Sequence, residues 1–274
     1  MHPSVLIIGK NSFIGKNFFN KCKIKRPTKI ISFKNFLKIK RKKLNKFNVI
    51  INFSISNKYV NNKYNSANDI DCKIAQKIKD LNILYIFLST RKVYKSNENL
   101  SENSAKKPND NYSKNKLISE KKLKTILNEN LLVLRISNII GIKKRRLTQI
   151  HKTFIDYYFE NIKKGQIIKF NEEFKDFLGI GQLTVILDKI VEKKLNGIYN
   201  VSLGKKVYIK EIIGWLNTYN FSNVKYVNLN KNQNRDNFTL KNKKLVNAIN
   251  IKIYKKDLKK ECKLISKAYF KNKL

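Results

Sequence analysis

The sequence predicts an α/β fold, a doubly wound parallel sheet with helices on both faces, and two observations carry the prediction. Apolar strand-like runs alternate with helix-forming stretches from residue 4 to residue 141, which is the pattern of a parallel sheet covered by crossover helices. The first run, Ser4-Val5-Leu6-Ile7-Ile8, stops at Gly9, and a helix can start by Gly15. Such a strand, turn and helix begin a mononucleotide-binding unit. A chain of 274 residues is long enough for one large domain, or a main domain with a small appendage, around a substantial core.

The elements follow in order. In the first turn, Gly9 suits a tight bend and Gly15 close packing of helix on strand. Backbone N–H groups of Asn11, Ser12, Phe13 and Ile14 can then face a pyrophosphate. Ser12 stands where a third glycine would be expected, and two glycines six apart also occur in ordinary αβ turns. A helix over Asn17 to Lys23 ends before Pro27, and Lys29 to Phe33 reads as a second strand. An acidic residue near the end of this strand would hold a ribose 2′-hydroxyl. Ser32-Phe33-Lys34 stands there instead, so a 2′-phosphate is accepted more readily and NADP is favoured over NAD; Lys34 is also readable as one more surface lysine.

Leu37 to Phe47 reads as a short basic helix or loop, and Asn48 to Ser54 as a third buried strand. Its polar end, Asn52 to Ser56, should lie beside a cofactor, because ligands of open parallel sheets bind beyond the carboxyl ends of strands. A helix over Ala67 to Leu81 precedes the strand Leu84 to Leu88, which ends in the hydroxyls of Ser89 and Thr90. A polar loop from Asn97 to Asn111 leads to a helix starting at Tyr112, followed by the strand Leu131 to Arg135. Beyond Gly141 the pieces are less regular. They comprise a basic segment Lys143 to Arg146, a helix around Gln149 to Lys163, a short strand Gln166 to Phe170 and a helix Leu183 to Lys194. A strand Ile198 to Val201, a helix Ile209 to Tyr219 and a closing helix Leu258 to Phe270 complete the chain.

Composition narrows the classes. Disorder is disfavoured by 42% hydrophobic and 11% aromatic residues. No apolar run reaches the roughly 18 to 20 residues of a membrane span, and Met1-His2-Pro3 leads directly into a strand, so no membrane association and a cytoplasmic location are expected. The formal charge of +41 invites nucleic acid as a partner. Nearly all of it is Lys, accompanied by heavy use of Asn and Ile, the residues of AT-rich codons, while Arg, the residue of forked phosphate and base recognition, is scarce. Codon bias does not account for the shortage of Glu. Nonspecific binding to polyanions at low salt is expected in either case. Cys22, Cys72 and Cys262 are odd in number and far apart, and His2 and His151 are the only histidines. Neither a disulfide framework, a metal site nor a His-based triad is suggested.

Tyr112 and Lys116 lie four apart at a helix start and share a face. At about 4 Å and an effective dielectric of about 20, one lysine is worth up to about 4 kcal/mol, or about 3 pKa units. That is enough to bring a tyrosine hydroxyl from about 10 to near neutrality, where it can serve as acid and base. The pair alone also describes an ordinary surface pair in a chain rich in both residues.

Order and spacing together say more. Gly9 to Gly15 after a first strand, Asn52-Phe53-Ser54 after a third, Ser89-Thr90 closing the next, and Tyr112 to Lys116 about 22 residues later resemble the extended short-chain dehydrogenase/reductase family. Within it the chain is similar to nucleotide-sugar epimerases, dehydratases and reductases. Ser89 to Tyr94, Glu102 with Pro108, Leu134 to Gly141, Lys175-Asp176-Phe177-Leu178 and Gly197 to Val201 resemble further motifs of that family. The resemblance implies a Rossmann-like dinucleotide domain from residues 1–141 plus about 176–204, and a discontinuous substrate-binding region from about 142–175 plus 205–274. It implies Tyr112 as the acid-base residue and Lys116 as its activator and holder of the nicotinamide ribose. Thr90, with Ser89, would bond the reacting sugar oxygen, and Asn138 and Lys175 would face the nucleotide or its pyrophosphate.

The activity implied is NAD(P)-dependent 4-keto reduction or C4 epimerisation of a nucleotide-linked sugar, in surface polysaccharide precursor synthesis. It leaves room for a homodimer. Two departures stand out besides Ser12: Gly179-Ile180-Gly181-Gln182 replaces an acidic pair, and the segment between the second and third strands is too short for an extra strand and helix. The alternative class is a Rossmann-fold protein that binds nucleic acid, or binds dinucleotide without turnover.

Overall fold

The computed structural model describes residues 2–142, 154–220, 226–229 and 236–271. The first half runs β1 (Val5–Ile8), α1 (Phe13–Cys22), β2 (Thr28–Ile31), α2 (Phe33–Lys38), β3 (Val49–Asn52), α3 (Asn57–Asn61), α4 (Ile70–Ile78), β4 (Leu84–Thr90), α5 (Asn111–Leu127) and β5 (Leu131–Ile136). Then come β6 (Asn138–Ile140), α6 (Phe154–Lys163), β7 (Ile168–Phe170), β8 (Phe174–Lys175), β9 (Phe177–Gly179), α7 (Ile180–Lys193) and β10 (Gly197–Val201). The chain closes with β11 (Val207–Tyr208), α8 (Ile209–Leu216), β12 (Tyr226–Asn228), α9 (Lys243–Ile249) and α10 (Lys255–Phe270).

Six parallel strands form the central sheet in the order β2-β1-β3-β4-β5-β10. From β1 the chain steps outward to β2 and then returns to the other side of β1 as β3. The strand order therefore reverses between β1 and β3, and a crevice opens beyond their carboxyl ends. Successive side chains alternate between faces, so one strand feeds two cores. Val5, Ile7, Val49, Ile51, Ile86, Leu132 and Leu134 pack toward Phe18 of α1, Leu183 and Leu187 of α7 and Leu245 of α9. Leu6, Ile8, Ile50, Tyr85, Phe87, Leu131 and Val133 pack toward Phe36 of α2, Ile74 and Ile78 of α4 and Leu123 of α5.

A third core lies outside the sheet. It gathers Tyr158 from α6, Ile168 from β7, Phe177 from β9, Ile212 and Leu216 from α8, and Leu258, Cys262 and Ile265 from α10. Two-stranded pairs β8/β11, β7/β12 and β6/β9 hold this region together. Ile140, Phe177 and Ile209 of this region line one side of a cleft.

Several boundaries differ from the sequence reading for local reasons. The second strand stops at Ile31, because the Ser32 hydroxyl accepts the Asn35 N–H at 3.2 Å and starts α2 at Phe33. α4 starts only at Ile70, where Asp69 accepts the Cys72 N–H at 2.9 Å. No strand lies beyond β2 among the described residues, in line with the short segment that follows it. The basic segment Lys143 to Arg146 and the first residues of the helix read from Gln149 lie outside the described residues, as does His151. Among the described residues no helix is long and apolar enough to cross a membrane. Cys22, Cys72 and Cys262 are buried free thiols.

Candidate active site

The turn after β1 has the geometry of a phosphate cradle. Gly9 takes φ +121°, and a Cβ there would lie 3.0 Å from the Phe53 carbonyl carbon. A Cβ on Gly15 would lie 3.0 Å from the Gly9 carbonyl oxygen. These two positions let the turn, α1 and the loop after β3 approach one another as no larger residue would. Ser12 is the N-cap of α1: its backbone is extended (φ −68°, ψ 138°) and its hydroxyl accepts the Gly15 N–H at 3.3 Å. A residue in that conformation needs no glycine, which explains the absent middle glycine. The cradle therefore fits a dinucleotide pyrophosphate at the mouth of the crevice, with one helix donor already taken by Ser12.

The loop after β3 is held by Asn52. Its Nδ2 donates to the Ser54 carbonyl at 3.0 Å and its Oδ1 accepts the Ser54 N–H at 2.8 Å. Lys34 is exposed on the first turn of α2, beyond the carboxyl end of β2.

At the end of β4 the two hydroxyls part company, as strand alternation requires. The Ser89 hydroxyl donates to Glu120 Oε1 at 2.5 Å, on the α5 side of the sheet. Thr90 points to the other face and caps the turn Arg91–Val93, accepting the Lys92 N–H at 3.3 Å. α5 begins at a capping box in which Asp110 accepts the Ser113 N–H at 2.7 Å. Tyr112, in its first turn, is half-buried and forms part of the cleft wall.

Lys116 turns inward. Its Nζ lies 3.6 Å from Asp71 Oδ2 on α4, 4.4 Å from the Phe87 ring centroid and 5.7 Å from that of Tyr59. Asp71 is buried, and its Oδ1 accepts the Tyr85 hydroxyl at 2.6 Å and Asn52 Nδ2 at 2.8 Å. Burial pushes the Asp71 carboxyl up, opposed by the Lys116 cation and the bonds from Tyr85 and Asn52. One carboxylate thus ties the loop after β3 to the lysine of α5. The sequence reading did not single out Asp71.

The cleft itself has a volume of about 850 Å³. Tyr112 and Asn111 open on it from the sheet side, Asn138 from β6, and Lys169, Asn171 and Lys175 from the stretch β7 to β8. Its cations are mostly paired. Lys92 lies 2.9 Å from Asp110, and Lys175 lies 3.2 Å from Glu173 and 3.4 Å from Asp236. Asp236 also binds Arg91 and Ser96. Against a desolvation that would raise them, Lys92 and Ser113 hold the Asp110 carboxyl down to about 2, and Arg91, Ser96 and Lys175 do the same for Asp236.

The remaining motif residues meet under the site in one buried network. Arg135 forks onto Glu120, with Nε to Oε1 at 3.0 Å and Nη2 to Oε2 at 2.6 Å. Its Nη1 donates to the Tyr94 hydroxyl at 2.8 Å, which donates to Asn200 at 2.8 Å, while Glu102 accepts the Asn200 N–H at 2.8 Å. These residues lock β4, α5, β5 and β10 together. Their position is structural support for the crevice.

The described residues thus bring Tyr112, Asn138 and Lys175 to one cleft, and Gly9, Ser12, Gly15, Asn52 and Ser54 to the crevice at the strand reversal; Ser89 is bonded to Glu120 and Lys116 to Asp71.

The sequence pattern of the NAD dependent epimerase/dehydratase family matches residues 5–202. No curated protein sequence matches the chain. Among solved structures, the UDP-N-acetylglucosamine 4-epimerase of Methanobrevibacter ruminantium M1, in complex with UDP-N-acetylmuramic acid, is 19% identical with a TM-score of 0.79, covering 99% of each chain. The Bordetella bronchiseptica enzyme WbmG, in complex with NAD, is 17% identical with a TM-score of 0.77, covering 98% of this chain and 95% of that one. A dTDP-glucose 4,6-dehydratase from Bacillus anthracis, in complex with NAD, is 16% identical with a TM-score of 0.75, covering 99% and 97%. At such identities the likeness establishes the fold, a Rossmann-like α/β architecture around a parallel sheet.

Proposed function

Because the chain belongs to the NAD dependent epimerase/dehydratase family of enzymes, we propose that it acts on a nucleotide-linked sugar, by 4-keto reduction or C4 epimerisation, with Tyr112 as the acid-base residue. The observation that carries this reading is the cleft of about 850 Å³ on which Tyr112, Asn138 and Lys175 all open. An acid-base group, an amide and a cation around one space suit a sugar hydroxyl at one end and a nucleotide diphosphate at the other. The solved relatives that hold UDP-N-acetylmuramic acid and NAD support the same pairing of ligands.

The nicotinamide dinucleotide, when bound, supplies hydride exchange at the sugar carbon. Gly9, Asn11, Ser12, Phe13, Ile14 and Gly15 would hold its pyrophosphate at the turn after β1, with Asn52, Ser54 and Lys116 on the ribose side. Tyr112 passes a proton to or from the oxygen of the reacting carbon, and Thr90 orients that oxygen. Ser89, bonded to Glu120 at 2.5 Å, supports the strand end instead of the substrate. Asn138 and Lys175 bind the nucleotide portion, in a substrate region drawn from about residues 142–175 and 205–274. Lys175 is shared with Glu173 and Asp236, so it is a tempered cation whose contribution to diphosphate binding is modest. We further propose NADP as the preferred cofactor, since Lys34 and Ser32 stand where an NAD-specific acid would be.

The test is turnover of a panel of UDP- and dTDP-linked hexoses and 4-keto hexoses with NAD or NADP, followed by chromatography. At least one is converted, and Tyr112→Phe lowers the rate about 10²- to 10⁴-fold, the usual worth of a positioned acid-base group. A Tyr112→Phe protein with undiminished activity would overturn the assignment of the tyrosine.

A further inference from the structure

We infer that Asp71 is a positioning residue, the buried counter-ion that keeps Lys116 charged and fixed one helical turn from Tyr112. Its place in the reaction rests on the function proposed above; the pairing of the two charges does not.

The Lys116 side chain is 6% exposed, and Asp71 Oδ2, 3.6 Å away, is the one carboxylate oxygen within 4 Å of its ammonium among the described residues. The groups around Lys116 are otherwise unable to balance it. β4 offers the Phe87 ring and α3 the Tyr59 ring, whose faces repay part of the desolvation. On α5 itself Tyr112 stands one turn before it, while Glu120 is committed to Arg135 and Ser89. A buried ammonium without an anion sheds its proton.

Asp71 is equally dependent. Its two oxygens divide the work: Oδ1 takes Tyr85 from β4 and Asn52 from β3, and Oδ2 faces Lys116 alone. The neighbouring carboxylate, Asp69, is occupied by Ser119 at 2.6 Å, Cys72 N–H at 2.9 Å and Tyr64 at 3.0 Å. Asp71→Asn keeps the shape and the Oδ1 bonds but turns an amide N–H₂ toward the ammonium, which makes it a clean probe of the charge.

Thermal unfolding between about pH 5 and 9.5, with wild type, Asp71→Asn, Lys116→Met and the double variant, tests the pair. In Asp71→Asn the buried Lys116 ammonium has lost its anion, so the solvated unfolded chain holds that charge more readily than the folded protein. The unfolded state then binds the extra proton, so the loss of stability is largest at the acid end and shrinks as pH rises. In Lys116→Met the orphaned Asp71 titrates above its unfolded value of about 3.9, so the loss grows with pH. The double variant lacks both slopes. Asp71→Asn and Lys116→Met curves that run parallel to wild type overturn the pairing. Should Asp71→Asn fail to fold, the Lys116→Met slope decides alone.

The link to the site is read by NADPH titration of the same proteins, followed by nicotinamide fluorescence. Wild-type affinity is unchanged between about pH 6.5 and 9, whereas Asp71→Asn weakens about tenfold over that interval as Lys116 loses a charge-assisted bond. Equal affinity of wild type and Asp71→Asn at both values overturns the positioning role. A wild type that binds neither NADPH nor NADH overturns the functional reading, and the positioning role with it, while the unfolding curves still decide the pair.

Discussion

Asp110 and Asp236 make the cleft sensitive to acid. Both carboxyls are held down to about 2 by the cations and hydroxyls around them, below the unfolded value of about 3.9. A depressed folded-state pKa stabilises above the unfolded value and loses that stabilisation as pH falls through the folded one. Melting temperature should therefore fall between about pH 4 and 2, and Asp110→Asn and Asp236→Asn should each make the fall shallower. A slope identical to wild type in both variants would place the acid sensitivity elsewhere. Tyr112 was singled out in the sequence by its place at a helix start, and it lies on the cleft wall; Lys116, read from spacing as its partner, is paired instead with Asp71. Asp71 was not singled out, because an acid in the first turn of a helix reads as a favourable partner of the helix dipole. Its true partners come from β3, β4 and α5. Ser89 was placed in the crevice beside Thr90, and strand alternation is the signal that would have separated them.

Elements pack around the crevice with little slack, and the clearest case is Gly141, after β6. A Cβ there would lie 2.5 Å from Ile180 Cγ2 of α7 and 2.7 Å from the Phe13 ring of α1. Gly141→Ala forces the helix that carries the cofactor turn away from α7, a cost of about 1–3 kcal/mol for overpacking. Urea unfolding measures it; an unchanged midpoint would mean the two helices yield freely. Long strands and helices were readable because their burial is continuous: every residue of β1, β3 and β5 is buried. α3, α9, β12 and the pair β8/β11 were not, since pieces of two to seven residues take their shape from tertiary contacts more than from propensity.

The whole molecule pairs an interior in which buried cations meet buried acids with a strongly basic exterior. Four of its acids pair with buried cations: Asp71 with Lys116, Glu120 with Arg135, Asp188 with Arg26 and Asp236 with Arg91. Most lysines among the described residues face solvent. The parallel sheet was legible from alternation alone, and the position of the crevice followed from strand order. The region around the third core was not, because that core is assembled from β6 to α8 and α10 with intervening segments that return to the sheet.

The turn from Gly9 to Gly15 is proposed to hold a nicotinamide dinucleotide beside Tyr112. Separate fluorescence titrations with NADPH and NADH test it most directly. Saturable binding is expected, tighter for NADPH, with the preference narrowed in Lys34→Glu. Tighter binding of NADH would contradict the role given to Lys34, and binding of neither dinucleotide would contradict the claim itself.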